Sequence, residues 1–327
     1  MNCALRPRTA AHARVLALVL ACGLAAASQT AAHPRARFQF STTSALVVLP
    51  VVVTGPHGRF ISGLPARDFQ VYEDGRRQKL ALFEEGNAPI SVAIVVDRSG
   101  SMAGKSEEAA DAIAAFAWAS DSRDQILMVE FNDHPADVGT HHSPFWRSRR
   151  RVLAAAEALP VGGETALYDA VDLALRRLRR SQWRRRALVI LSDGGNNAGR
   201  LHFRQVLARA RRSWVTIYAI GLLGAPGEEE NPGLLKRLCR ATGGVAYFPH
   251  APGAAVEAAT AAIAGELRQQ YTLGYVPGGF DGGGRFRRIQ VRLVGPGSGK
   301  LRVRTRPGYE AAPPGPSARG DHPPPGA

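Results

Sequence analysis

The chain has 327 residues, 45% of them hydrophobic and 21% charged, with a formal net charge of +15 at neutral pH. That apolar share excludes a wholly disordered chain, and the length allows a core to form without disulfide staples. Cys3 and Cys22 lie in the amino-terminal region and leave Cys239 alone in the remainder, which excludes an intramolecular disulfide framework there.

Arg6, Arg8 and Arg14 precede an apolar run from Val15 to Ala27 that is short for a bilayer span and fits a secretory signal over residues 1–27, with Ala25-x-Ala27 as the cleavage site. An extracytoplasmic location (periplasm, cell envelope or outside the cell) is therefore expected. Val19-Leu20-Ala21-Cys22 offers a competing reading as a lipoprotein box that would anchor the protein at Cys22, although Leu20 is atypical there and the apolar run continues past Cys22. A linker over 28–45 leads to a β segment over 46–88. In it Leu46 to Val53, Arg59 to Ser62, Phe69 to Tyr72 and Gln78 to Phe83 read as short strands between Gly-Pro and Asp-Gly turns.

From residue 89 the pattern changes. Ile90 to Val96 is a near-continuous apolar run, as expected of a strand covered on both faces in a parallel sheet, and ligand loops belong at its carboxyl end. There Asp97, Ser99 and Ser101 place three oxygen-bearing side chains at alternate positions, with Gly100 permitting a tight turn. Two hydroxyls and a carboxylate begin an oxygen cage for a hard cation, and a magnesium-like ion takes about six oxygen ligands, so others must come from elsewhere in the fold. A helix is expected over Lys105 to Ser120, a strand over Gln125 to Phe131 and a helix over Arg147 to Leu159. Gly162 to Thr165 is a glycine-rich loop that brings the Thr165 hydroxyl to the start of a helical pattern from Ala166. Arg186 to Ser192 is another buried-strand run, and Asp193 after it places a second carboxylate at the same sheet edge. An alternative stays open for each residue: Thr165 capping its helix, Ser99 and Ser101 capping the helix after Asp97, and Asp193 making an Asx turn.

A helix ending over Val206 to Arg212, a strand over Trp214 to Ile220, a helix over Leu234 to Thr242 closed by Gly243, a strand over Val245 to Phe248 and a helix over Val256 to Gln269 complete the alternation. This predicts an α/β fold with a doubly wound, mostly parallel sheet over 89–268. Strands follow at Gln270 to Val276, Arg285 to Leu293 and Leu301 to Thr305, within a second β segment over 269–310, where Tyr271, Tyr275 and Tyr309 are candidate core residues. The two β segments together suffice for one discontinuous β-sandwich into which the α/β domain is inserted; two separate appendages are the alternative. The Pro/Gly-rich tail over 311–327 is expected to be disordered, and its Arg319-Gly320-Asp321 carries no function.

Taken together, D-x-S-G-S at Asp97 to Ser101, G-G-x-T-A-L-Y-D-A at Gly162 to Ala170 and S-D-G at Ser192 to Gly194 resemble the metal-ion-dependent adhesion site of von Willebrand factor A domains. The resemblance implies that Ser99, Ser101 and, in a ligand-engaged state, Thr165 coordinate the cation directly, while Asp97 and Asp193 hold it largely through waters. It implies Mg2+, or Mn2+ or Ca2+ in its place, and a protein partner that offers a Glu or Asp carboxylate to the remaining position. The expected function is metal-dependent protein binding or adhesion. The flanks GLPARDFQVYEDGRRQKLALFEE and QQYTLGYVPGGFDGGGRFRRIQVRLV resemble the von Willebrand factor A related proteins of Acidobacteria and similar bacteria.

No enzymatic role is expected. H-E-x-x-H and G-x-S-x-G are absent, Ser101 to Lys105 is one residue too long for S-x-x-K, and Gly295 to Lys300 lacks P-loop spacing. Glu84-Glu85 and Glu228-Glu229-Glu230 read as solvated loop acids, and His141-His142 lacks the spacing of a helical zinc site. A metal-dependent phosphoryl hydrolase centred on Asp97 is the alternative, but Ser99 stands where its second acid is needed. Arg147, Arg149, Arg150 and Arg151, then Arg176, Arg177, Arg179, Arg180, Arg184, Arg185 and Arg186, read as a solvated surface, with binding to an anionic polymer or lipid of the envelope as the alternative. Trp183 alone interleaves them, short of the repeated aromatics that a nucleic-acid platform needs, so no nucleic-acid partner is expected, and membrane contact would come only from Cys22 lipidation or these arginines. Cys239, near Leu235 and Leu238, is expected to be a buried structural thiol.

Overall fold

A computed structural model of the protein describes residues 46–139, 144–157, 161–224, 230–251, 253–278 and 285–311. The leader and its Cys22, the linker, His141-His142, Glu228-Glu229 and the tail from 312 lie outside the described residues. In chain order β1 (Val47–Thr54), β2 (Phe69–Glu73), β3 (Arg76–Gln78) and β4 (Leu80–Glu85) precede β5 (Ile90–Asp97). Next come α1 (Ser106–Ala119), β6 (Gln125–Phe131), β7 (Pro135–Asp137), β8 (Phe145–Trp146), α2 (Arg149–Glu157), α3 (Leu167–Leu178) and β9 (Arg185–Ser192). Then follow α4 (Phe203–Arg212), β10 (Thr216–Gly221), α5 (Pro232–Thr242), β11 (Ala246–Tyr247) and α6 (Ala254–Gln269). The last strands are β12 (Tyr271–Tyr275), β13 (Phe286–Leu293), β14 (Arg302–Arg304) and β15 (Gly308–Glu310).

The central sheet runs β11-β10-β9-β5-β6-β7, with β8 also on β6. Its five strands from β11 to β6 are parallel, while β7 and β8 are short antiparallel additions at one edge. Every residue of β5 is buried, because helices cover both of its faces. Val92, Ile94 and Val96 pack with Ile113 and Phe116 of α1 and Ile263 of α6, while Ala93 and Val95 pack with Leu175 of α3, Val206 of α4 and Leu235 of α5. A strand dressed on both sides shows no period-two alternation, which is why the run is continuously apolar. The chain leaves β5 for β6 on one side and returns through β9 on the other, so the strand order reverses between β5 and β9 and opens a crevice at their carboxyl ends.

The flanks build two antiparallel four-stranded sheets, β14-β1-β12-β4 and β15-β13-β2-β3. Strands from before and after the α/β segment pair directly: β1 with β12 and β14, β12 with β4, and β13 with β2. Leu49, Val51, Phe69, Val71, Tyr271, Leu273, Tyr275 and Ile289 fill one core between the two sheets. Within it the buried Glu73 carboxylate of β2 accepts the hydroxyls of Tyr275 and Tyr309 and pairs with Arg287 at 3.2 Å, so three later residues satisfy one early acid. The flank also grips the α/β segment. Arg306, 2% exposed, stacks on Trp214 and donates to the carbonyls of Arg211 (3.0 Å) and Ser213 (2.7 Å) at the end of α4.

Several expectations need correction. Arg59 to Ser62 is no strand: Phe60 makes a single bridge to Thr54 beside a tight turn closed by Gly55. Gln78 to Phe83 breaks at Lys79, β3 pairing with β2 in one sheet and β4 with β12 in the other, so Glu84 and Glu85 belong to a strand rather than a loop. Ala311, placed in the tail, is 7% exposed and closes the sandwich core. Arg185 is not on a solvated surface. It is 6% exposed and donates to the carbonyls of Gly86 (2.6 Å), Ala88 (2.7 Å) and Leu267 (2.5 Å) where the flank meets the sheet. Among its neighbours in the cluster, Arg176 pairs with Asp172 and Arg177 with Asp137. Cys239 is buried, and its thiol pKa is pushed up by desolvation. Among the described residues no helix is long and apolar enough to cross a membrane.

Candidate functional site

The ends of β5 and β9 carry the polar residues of the crevice. Asp97 is 1% exposed; its Oδ1 accepts from the backbone N–H of Ser99 (3.0 Å) and the Ser99 hydroxyl (2.6 Å), and its Oδ2 from the Ser192 hydroxyl (2.6 Å). Ser99 Oγ lies 3.2 Å from Ser101 Oγ, and Ser101 Oγ donates to Asp193 Oδ2 at 2.7 Å. A continuous polar chain thus runs Ser192, Asp97, Ser99, Ser101, Asp193 across two strand ends. Burial pushes the Asp97 pKa up to about 6 even though hydrogen bonds from Ser192 and Ser99 pull the other way, and the nearby Asp193 charge adds to the rise. A carboxylate so desolvated is stabilised by a cation.

Thr165 joins through the backbone. The loop before α3 is stitched to the loop after β5 by Gly100 N–H to the Gly163 carbonyl (3.0 Å) and Gly162 N–H to the Arg98 carbonyl (2.8 Å). Gly163 has φ +87° and would bring a Cβ within 2.8 Å of the Asp133 carboxylate, so only glycine suits this crossing. Thr165 N–H donates to Asn197 Oδ1 (2.7 Å), and its carbonyl accepts from the N–H groups of Asn197 and Ala198 (both 3.1 Å). Thr165, 7% exposed, is in this way held between the two strand-end loops. Helix capping does not account for the hydroxyls: Lys105 occupies the N-cap position of α1 and Ala166 that of α3, and neither these nor Ser99 makes a side-chain cap bond. The Asx turn at Asp193 is present, Gly195 N–H donating to Oδ1 at 2.9 Å, while Oδ2 takes Ser101.

Sequence reasoning placed Ser192 in the S-D-G motif but gave it no role; it holds the second oxygen of Asp97 and also accepts from Gly194 N–H (3.0 Å). The same reasoning passed over Asn196, whose Oδ1 accepts from Tyr168 N–H (2.9 Å), and Asn197. The polar string S-D-G-G-N-N after the apolar run Ala187 to Leu191 was the available signal. The donors are oxygens throughout, two carboxylates and the hydroxyls of Ser99, Ser101 and Thr165, a set that suits magnesium, manganese or calcium better than a soft ion. Among the described residues no group of three or more His, Cys, Asp or Glu converges, so neutral hydroxyls dominate the centre.

Residues 92–196, which include all five of these positions, match the family model of the von Willebrand factor type A domain. Over that segment the chain fits a von Willebrand factor A-domain protein. Domains of this family typically mediate binding between proteins and often bind a divalent metal. Among solved structures, a von Willebrand factor type A protein from Catenulispora acidiphila is 13% identical, with a TM-score of 0.49 over 84% of this chain and 76% of that one. An aerotolerance-related membrane protein from Bacteroides fragilis is 17% identical, with a TM-score of 0.45 over 54% of this chain and 98% of that one. Proximal thread matrix protein 1 from the mussel byssus, solved with zinc in its metal-ion-dependent adhesion site, is 16% identical, with a TM-score of 0.47 over 58% of this chain and 47% of that one. No curated protein sequence matches the chain.

Proposed function

We propose that Asp97, Ser99, Ser101, Thr165 and Asp193 hold a divalent cation, magnesium first, and that the A domain uses it to bind an acidic residue of a protein partner outside the cytoplasm. The observation that carries the proposal is the pair of hydroxyls, Ser99 and Ser101, set side by side between two carboxylates at the crevice. The bound ion would supply an electrophilic position for a Glu or Asp carboxylate. Around it, Asp97 and Asp193 contribute the negative charge, the three hydroxyls contribute neutral oxygens that leave the ion short of electrons, and Ser192 and Asn197 fix the loops. The chemistry is docking without bond breakage, since Ser99 stands where a hydrolase would need its second acid. In this reading residues 46–88 and 269–310 form one β domain that carries the A domain, 89–268, as an insertion.

Isothermal titration of magnesium chloride into the whole protein tests it. One bound ion is expected, weakened at least about tenfold in Ser99→Ala and Ser101→Ala, which delete oxygens without touching the core. Absence of magnesium heat in the wild-type protein would overturn the proposal, and phosphoester hydrolysis lost in Asp97→Ala would overturn its non-enzymatic part.

A further inference from the structure

Lys105 lies against the centre without belonging to the five residues above. It stands one residue ahead of α1 and is 8% exposed, at the positive end of a helix dipole, where a cation is disfavoured. Acids compensate it there. Its Nζ lies 3.8 Å from Asp193 Oδ2 and 3.7 Å from Glu230 Oε1. Asp193 Oδ2 is the same oxygen that accepts the Ser101 hydroxyl, so the ammonium addresses the carboxylate face turned toward the other donors. Glu230 comes from the entrance to α5, where Asn231 caps the helix through Leu234 N–H (3.0 Å) and donates its own N–H to the Asp193 carbonyl (3.2 Å). Lys105 therefore ties the loop after β9 to the start of α5 while it neutralises one of the two acids of the centre.

We infer that Lys105 sets the cation affinity of the centre: its ammonium occupies the field of Asp193 and opposes any second cation brought to that carboxylate, while Glu230 draws it away. The inference rests on the proposed cation site. A fixed positive charge within about 4 Å of a ligand carboxylate, in surroundings of low effective dielectric, reduces the attraction that carboxylate has for a divalent ion.

The test is calorimetric titration of magnesium chloride into the whole wild-type protein and into Lys105→Met, Lys105→Gln and Lys105→Arg, with unfolding temperatures measured alongside. Loss of the charge in Lys105→Met is expected to tighten magnesium about tenfold, and Lys105→Arg to restore an affinity near that of the wild type. Lys105→Gln, which tolerates a polar setting, gives the same comparison if the methionine variant does not fold. A merely structural tie would lower the unfolding temperature and leave affinity unchanged or weaker; that result, with the wild type still binding magnesium, overturns the role of Lys105 alone. No magnesium heat in the wild type overturns the site and this inference together.

Discussion

Asp97→Asn should make the cation-free protein more stable than the wild type, an advantage that saturating magnesium cancels. In the folded chain the Asp97 carboxyl has its pKa pushed up by burial to about 6, against 3.8 in an unperturbed setting. The folded state holds the proton more tightly, so the stability this group contributes is complete below about pH 4 and is lost as pH rises through about 6. At pH 7 the ionised carboxylate then costs the cation-free protein about 3 kcal/mol, an upper figure that asparagine removes. The amide keeps the shape: its oxygen can accept from Ser99, and its NH2 can donate to the Ser192 hydroxyl, which is free to rotate. A gain of up to about 5 °C in unfolding temperature follows for a folded unit of this size. Magnesium at a hundredfold excess over its dissociation constant adds about 2.7 kcal/mol to the wild type and nothing to the variant. Thermal unfolding followed by circular dichroism at pH 7 and pH 4, with and without magnesium, reads all four states, and the variant's advantage should shrink at the lower pH. A variant less stable than the wild type without magnesium at pH 7 would show that the buried charge carries no such cost, and one still stabilised by magnesium would show that Asp97 does not hold the ion.

Three further outcomes are expected. Thr165→Ala leaves the backbone bonds to Asn197 and Ala198 in place, so it should cost under about 1 kcal/mol in urea unfolding while weakening magnesium in calorimetry. Gly194→Ala must hold φ +90° and bring a Cβ within 2.6 Å of the Asn231 carbonyl, so a loss of at least about 2 kcal/mol is expected from the same urea curves. Glu73→Ala strips Arg287, Tyr275 and Tyr309 of their shared acceptor and should cost about 3–5 kcal/mol; an unchanged urea midpoint would show that this buried carboxylate does not tie the two flanks together.

What the sequence discloses follows from how local each signal is. β5 is legible because burial on both faces leaves Val92 to Val96 apolar without interruption before Asp97, and Asp97, Ser99 and Ser101 are legible because one turn brings them together. Ser192 is not, since its partner Asp97 is 95 residues away and a serine at a strand end is ordinary. The break at Lys79 is equally hidden. Leu80, Ala81, Leu82 and Phe83 continue without a turn residue, and only the distant partners, β2 for one piece and β12 for the other, divide the run between two sheets. Arg184, Arg185 and Arg186 are identical letters, yet three carbonyls converge on Arg185 from Gly86, Ala88 and Leu267, a gathering that exists only after folding. β7 and β8 are three and two residues long, too short for any periodicity to announce them.

Whether the crevice between β5 and β9 holds a cation is read by anomalous diffraction from crystals of the protein grown with manganese. One strong peak is expected within about 2.2 Å of the hydroxyl oxygens of both Ser99 and Ser101, absent from crystals of Asp97→Ala. No peak there in well-ordered crystals, or a peak bound only by other residues, would contradict the cation site.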